Sequence, residues 1–354
     1  MVFKSYIEYK NSFYQQPGYG DIADLQATDG VITAIYQRLT NPANDASYSN
    51  IWQKYSVDGG KNWLYLNSPP APLQPNIGLQ NTGWVSLVKL ATGSWSMFFL
   101  VKNATPTDLE IWKNTTTDPY TSPFIAANAI KVPSQTAGYN VLQNNAVRVL
   151  ASGRVIIPIA WLNGSVYNFY VLYSDDNGTT WTASAKYTGG GSLGLLEPGI
   201  VELTPGNLLA YFRTDTGFVY TSTSANNGNT WTAPAASTLP STNLGYGSPS
   251  KIILLSTGKL LAATNPPGIP GDSIGRAVLR LSKSADNGAT WTTALDLEPV
   301  QFQPGDMYNF EYAAMMQSAN GSLPVYLAYL EQINAPNGPG SQKFAYVDLT
   351  DIGE

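Results

Sequence analysis

The sequence predicts an all-β fold, a six-bladed β-propeller of four-stranded antiparallel sheets forming a single domain over residues 1–354. Three observations carry that expectation. An eight-residue segment recurs four times, each copy follows an alternating apolar run, and no long stretch repeats its apolar residues at the helical period. The copies are SVDGGKNW (Ser56–Trp63), SDDNGTTW (Ser174–Trp181), SANNGNTW (Ser224–Trp231) and SADNGATW (Ser284–Trp291). Runs such as Tyr167–Tyr173 and Ala277–Ser282 read as strands, so each copy reads as the hairpin turn that leaves one.

The turn residues have specific work to do. Asp58, Asp176 and Asp286 can fold their carboxylates onto N–H groups of the loop, while Gly60, Gly178 and Gly288 supply a positive φ. Asn226 stands in the third copy and can make the same local bonds. Trp63, Trp181, Trp231 and Trp291 end the copies and are expected to anchor neighbouring sheets to one another.

The spacing gives the blade count. Trp63 and Trp181 are 118 residues apart, Trp181 and Trp231 are 50, and Trp231 and Trp291 are 60. The first interval is double the others, so a blade lacking the motif is expected between them, around Gly93–Ala104 and Asp108–Tyr120, where Trp112 and Asp118 remain. A last unit after Trp291 makes six, each long enough for four short strands.

Composition narrows the chemistry. There is no Cys, hence no disulfide framework and no thiolate metal site. There is also no His, which removes Ser-His-Asp and Cys-His mechanisms and the commonest transition-metal ligand. No metal and no cofactor are expected, and any catalysis must rest on carboxylates, Tyr, Lys or Arg. A net charge of −5 without a basic run argues against nucleic acid or an anionic membrane as partner. No segment is apolar enough to span a bilayer, and the first residues lack a signal-peptide core. Low charge with abundant Asn, Thr, Ser, Gly and Tyr leans towards an exported or cell-surface protein.

Propellers bind ligands at one end of the central channel, where the innermost strands begin. Blade four opens at Leu195 with Glu197 at the entry to an alternating strand, and Arg213 ends the next strand. Blade five opens at Tyr246 and runs on to Arg276, eight residues before Ser284. Blade six opens at Met307 and puts Tyr308 and Tyr312 beside Glu311. Converging on one axis, these would give a carboxylate, two guanidinium groups and a phenol.

The four turns resemble the Asp-box, or BNR repeat, of the sialidase superfamily, and the resemblance covers nearly the full length. Blade four is closest: Glu197, the run Ile200-Val201-Glu202-Leu203, and Arg213 sixteen residues after the Glu match the family spacing. The resemblance implies a retaining exo-glycosidase acting on a glycan or glycoconjugate. Tyr312 would be the nucleophile, an option the sialidases are known to use in place of a carboxylate. Glu197 would be its base, Asp45 the acid/base in a first-blade loop eleven residues ahead of Ser56, and Arg213 with Arg276 a clamp for an acidic sugar. Tyr246, and Glu331 in the last blade, are further candidates for substrate contact. A phenol of pKa near 10 needs such a neighbouring carboxylate to take its proton as it attacks.

One family residue is missing. Sialidases begin blade one with an Arg-Ile-Pro segment, and here Gly20 or Asp21 occupies that place, in Gly18–Gly30. Either Arg213 and Arg276 hold a substrate carboxylate alone, or the substrate is not a sialic acid. Two other readings stay open: a carbohydrate-binding propeller without catalysis, and a propeller glycosidase using two carboxylates, Glu197 among them, on a non-sialic sugar. Oligomeric state is not legible.

Overall fold

A computed structural model describes residues 2–8, 16–26, 31–39, 49–66, 70–75, 81–102, 109–242, 249–303, 306–318, 324–333 and 340–354. Its six antiparallel sheets are the six blades of a propeller, and helix among the described residues is limited to two short 3-10 segments, Ala126–Asn128 and Leu349–Ile352. Blade 1 contains Gln16–Gln26, Val31–Leu39, Ser49–Ser56 and Leu64–Tyr65. Blade 2, which lacks the eight-residue motif, contains Asn81–Lys89, Trp95–Lys102, Leu109–Thr116 and Ile130–Lys131. Blade 3 has a divided inner strand, Asn140–Val141 and Arg148–Val149, followed by Val155–Asn163, Val166–Ser174 and Thr182–Ala183. Blades 4 and 5 begin with the inner strands Leu196–Thr204 and Lys251–Leu254.

Blade 6 closes the ring. Its strands Asp306–Gln317, Val325–Ile333 and Gly340–Val347 are completed by the N-terminal strand Phe3–Glu8, which pairs antiparallel with Gly340–Val347 from Phe3 opposite Tyr346 onwards. The first and last strands of the described chain thus share one sheet, which ties the two ends together and closes the ring.

The core is divided among the blade interfaces. Six separate apolar clusters each take residues from two adjacent blades; one joins Ile35 and Ile51 of blade 1 to Val85, Met97 and Phe99 of blade 2, another joins Phe169 of blade 3 to Phe212 of blade 4. The motif tryptophans sit in these seams. Trp63 meets Phe344 edge-on at 5.3 Å between ring centroids, Trp181 meets Phe98 at 5.9 Å, and Trp231 meets Phe169 at 5.3 Å, each reaching the preceding blade. Trp291 packs on the seam between blades 4 and 5.

The turns that aim those rings are closed from within. In the first copy Ser56 Oγ donates to Asp58 Oδ1 at 2.7 Å and accepts from Gly60 N at 2.8 Å, while Asp58 Oδ1 accepts from Asn62 N at 2.9 Å. The Trp63 indole N–H then donates to the Gly60 carbonyl at 3.0 Å, a bond repeated by Trp181, Trp231 and Trp291. Gly60, Gly178, Gly228 and Gly288 have φ of 86°, 84°, 81° and 92°. Asn226 keeps the pattern, accepting from Ser224 Oγ at 3.0 Å and Thr230 N at 2.9 Å. Partial burial of Asp58 opposes its charge, but the bonds from Asn62, Ser56 and Lys61 prevail and hold its pKa to about 2.

Candidate active site

The inner strands share a local distortion. In blade 4 the pairing steps from Leu196 opposite Arg213 to Gly199 opposite Tyr211; in blade 6 it steps from Glu311 opposite Leu330 to Ala314 opposite Ala328; in blade 2 it steps from Gly83 opposite Leu100 to Ser86 opposite Phe98. Each step inserts one extra residue, a β-bulge that turns a side chain out of the sheet. The residue at each bulge has a left-handed backbone although none is glycine: Glu197 at φ 41°, Tyr312 at 52° and Trp84 at 50°. Asn145, in the interrupted inner strand of blade 3, has φ 51°. Such backbone costs on the order of 1–3 kcal/mol per residue and persists where surrounding structure imposes it.

The backbone beside two of the bulges is tightly packed. A Cβ on Gly199 would come within 2.2 Å of the Tyr211 hydroxyl, and a Cβ on Gly83 within 2.3 Å of Gln37 Cδ. Beneath the bulges, Lys251 of blade 5 is fully buried and reaches blade 3, where its Nζ donates to the Asn144 and Asn145 carbonyls at 2.8 Å each. Asn144 Nδ2 donates in turn to the carbonyl of Tyr312 at 3.1 Å, and Asn145 Oδ1 accepts from Met315 N at 3.3 Å. Blades 3, 5 and 6 are thereby tied under the nucleophile candidate.

Trp84, Glu197 and Tyr312 all line one pocket of about 200 Å³, together with Arg213, Tyr167 and Tyr139. The Tyr312 hydroxyl donates to Glu197 Oε1 at 2.7 Å. Arg213 Nη1 donates to Glu197 Oε2 at 2.7 Å and lies 3.4 Å from the Tyr312 oxygen. Glu197 and Tyr312 are 6% and 7% exposed, and the bond between them is buried. Tyr167 has its pKa pushed up to about 12 by burial and by the neighbouring Tyr139 and Glu197, which keeps its hydroxyl protonated.

The remaining candidates separate. Arg276 does not line the pocket: its guanidinium is paired with Glu311, and its central carbon lies over the Tyr312 ring, 5.9 Å from the centroid. Glu331 is also outside the pocket, in a buried cluster where it accepts from Lys343 at 3.0 Å and from the Tyr6 hydroxyl at 3.2 Å. Lys343 bonds Glu298 of blade 5 as well, at 2.7 Å, so Glu331 belongs to a charge network that bridges blades 5 and 6. Asp45 and Tyr246 lie outside the described residues, as do the side chains of Gly18–Gln26. Among the described residues no group of three or more His, Cys, Asp or Glu could hold a metal ion, and no helix is long and apolar enough to cross a membrane.

Trp84, Tyr139 and Tyr167 carry no signal in the repeats that would single them out. Trp84 belongs to blade 2, which lacks the motif, so there is no nearby turn to count from. The hint in the sequence is a bulky residue between Gly83 and Val85 that breaks the alternation at the start of an inner strand, as Glu197 and Tyr312 do. The wider cavity at the opposite mouth of the channel, about 680 Å³, is lined largely by aliphatic residues such as Leu87, Val201 and Ile253. Its one carboxylate, Glu202, is engaged by the Ala151 and Gly206 N–H groups at 2.7 and 2.9 Å.

Fold and repeats define a sialidase-like propeller. The chain belongs to the BNR repeat-like domain family, whose model matches residues 128–325. It is 27% identical over 213 residues to sialidases of two strains of Vibrio cholerae serotype O1, an alignment covering 52% of this chain and 26% of theirs. The chain thus matches about a quarter of the length of those relatives. Among solved structures, Trypanosoma rangeli sialidase in complex with the inhibitor DANA superposes with a TM-score of 0.73 at 16% identity, over 98% of this chain and 59% of that one. A Dyadobacter fermentans protein of unknown function gives 0.76 at 16% identity, over 98% and 99%. The K499G mutant of NanB sialidase from Streptococcus pneumoniae gives 0.67 at 15% identity, over 99% and 71%.

Proposed function

We propose that the protein is a retaining exo-glycoside hydrolase with Tyr312 as nucleophile and Glu197 as its base. The observation that carries this reading is the 2.7 Å bond from the Tyr312 hydroxyl to Glu197, made inside a pocket by two residues 115 positions apart. A carboxylate at that distance can accept the phenolic proton while the oxygen attacks the anomeric carbon. Arg213, 3.4 Å from the same oxygen, stabilises the negative charge that develops there.

The chemistry balances in two steps. Tyr312 Oη bonds to the anomeric carbon, the glycosidic C–O bond breaks, the phenolic proton goes to Glu197, and an acid protonates the leaving oxygen. Asp45 is the residue the sequence offers for that acid. Water then attacks the anomeric carbon as its bond to Tyr312 Oη breaks, Asp45 takes the water's proton, and Glu197 returns a proton to the departing Tyr312 oxygen, giving overall retention. A pair of carboxylates would also hydrolyse a glycoside, but Glu311 is engaged by Arg276, and the group next to Glu197 is a phenol.

A mechanism-based fluorinated glycosyl fluoride tests this reading. Peptide mass spectrometry is expected to find the sugar on Tyr312, and Glu197→Gln and Tyr312→Phe are each expected to lower kcat/KM by roughly 10³-fold. Labelling elsewhere, or full activity in both variants, refutes the mechanism.

A further inference from the structure

Accepting that this pocket is the glycosidase site, we infer that its sugar is a compact, uncharged pyranose stacked on Trp84, and not a carboxylate-bearing sugar. The first ground is charge. Arg213 is the one cation among the described residues lining the pocket, and its Nη1 is already on Glu197. The chain has only five other arginines. Arg276 is paired with Glu311, Arg154 with Asp175 and Arg280 with Asp296; Arg38 lies over Trp52, and Arg148 lines the cavity at the opposite mouth. Segments outside the described residues contain no arginine and a single basic residue, Lys10. A substrate carboxylate would enter beside Glu197 with no guanidinium surplus to neutralise it, and burying an uncompensated charge is costly.

The second ground is shape and lining. About 200 Å³ has room for one pyranose ring but little for a long polyol tail, and it lies below the roughly 300–1,000 Å³ common for small-molecule pockets. Aliphatic side chains of Leu100, Leu109, Val141 and Leu196 share the lining with the aromatic residues. The third ground is Trp84 itself. Its indole packs beside Tyr312 and Leu330, and its backbone carries the same left-handed strain as the two proposed catalytic residues. A flat ring held there offers an apolar face to the C–H side of a neutral sugar and nothing to a carboxylate.

The test separates binding from turnover. Saturation-transfer NMR on the full chain would compare methyl glycosides of neutral hexoses, deoxyhexoses and pentoses with N-acetylneuraminic acid, alongside hydrolysis of the matching 4-methylumbelliferyl glycosides. A neutral glycoside is expected to bind and to be turned over with kcat/KM at least ~100-fold above the sialoside. Trp84→Ala should raise KM or Kd by about tenfold or more while leaving kcat little changed, with Trp84→Phe recovering part of the loss and melting curves checking that both variants fold. Preferential binding or hydrolysis of the sialoside, dependent on Glu197 and Tyr312, would overturn the substrate inference and leave the mechanism standing. Trp84-dependent binding of a neutral sugar without hydrolysis would do the reverse. Binding of no neutral glycoside would overturn the inference outright.

Discussion

The outer turns and the inner bulges both rely on left-handed backbone, and they fill it in opposite ways. At the rim, Gly60, Gly178, Gly228 and Gly288 take positive φ without a side chain to strain. At the channel mouth, the same kind of backbone is taken by Trp84, Glu197 and Tyr312, where each side chain makes it costly. The rim device repeats in four of the six blades, with the same turn and the same Trp in the seam each time. The bulges repeat as backbone but carry a different side chain each time. A scaffold element thus uses the least strained residue, whereas the candidate site keeps strain because the side chain is the point.

That contrast can be broken at either end. The largest effect is expected from Glu197→Gln: activity should drop by roughly 10³-fold, while the urea midpoint moves by less than about 1 kcal/mol in free energy, because the amide oxygen can still accept from Tyr312 or Arg213. A large loss of stability would mean that Glu197 is mainly a brace for Arg213. Trp231→Ala should behave inversely. Removing a ring packed edge-on against Phe169 should cost about 3–5 kcal/mol, yet kcat/KM measured well below the melting temperature should stay within about threefold of wild type. A comparable loss of activity would couple rim to site.

Gly60→Ala is smaller and probes the rim backbone alone. The new Cβ would sit 2.2 Å from Phe344 Cε1 at a φ of 86°, so about 1–3 kcal/mol of destabilisation is expected from overpacking. The smallest effect is electrostatic. Bonds from the Thr290 hydroxyl and N–H lower the Asp286 pKa from the usual 3.8 to about 2. A carboxyl whose pKa is lower in the folded chain stabilises the fold fully above the unfolded value and loses that contribution as pH falls through the folded one. Melting temperature should therefore fall between pH 4 and pH 2, and Asp286→Asn, which copies the natural Asn226, should flatten part of that slope. An unchanged slope would show that the turn carboxylate contributes nothing through its charge.

Much of the scaffold was legible because its information is local. Ser, Asp, Gly and Trp within eight residues determine a turn, and the doubled interval between Trp63 and Trp181 exposed a blade that lacks it. The N-terminal strand was not legible in this way, since Phe3–Glu8 could edge any sheet until its pairing with Gly340–Val347 is known. For the site, their places at the openings of the inner strands and the family spacing singled out Glu197, Arg213 and Tyr312, which the structure brings within hydrogen-bonding reach of one another. Counting back from the turns singled out Arg276, and the family resemblance Glu331, which are directed at Glu311 and Lys343. Strand alternation places a residue on a face; it does not say which neighbour will neutralise it.

The sequence by itself determined the all-β class, the six blades, the self-bonded turns and the four Trp residues in their seams, because turn chemistry and period-two alternation act over a few residues. Tertiary structure alone decided that blade 2, which lacks the motif, contributes Trp84 to the pocket, that Lys251 and Asn144 support Tyr312 from other blades, and that Arg276 is paired with Glu311. Those contacts join residues dozens to more than a hundred positions apart. They exist only once the ring has closed and the inner strands have bulged toward a common axis.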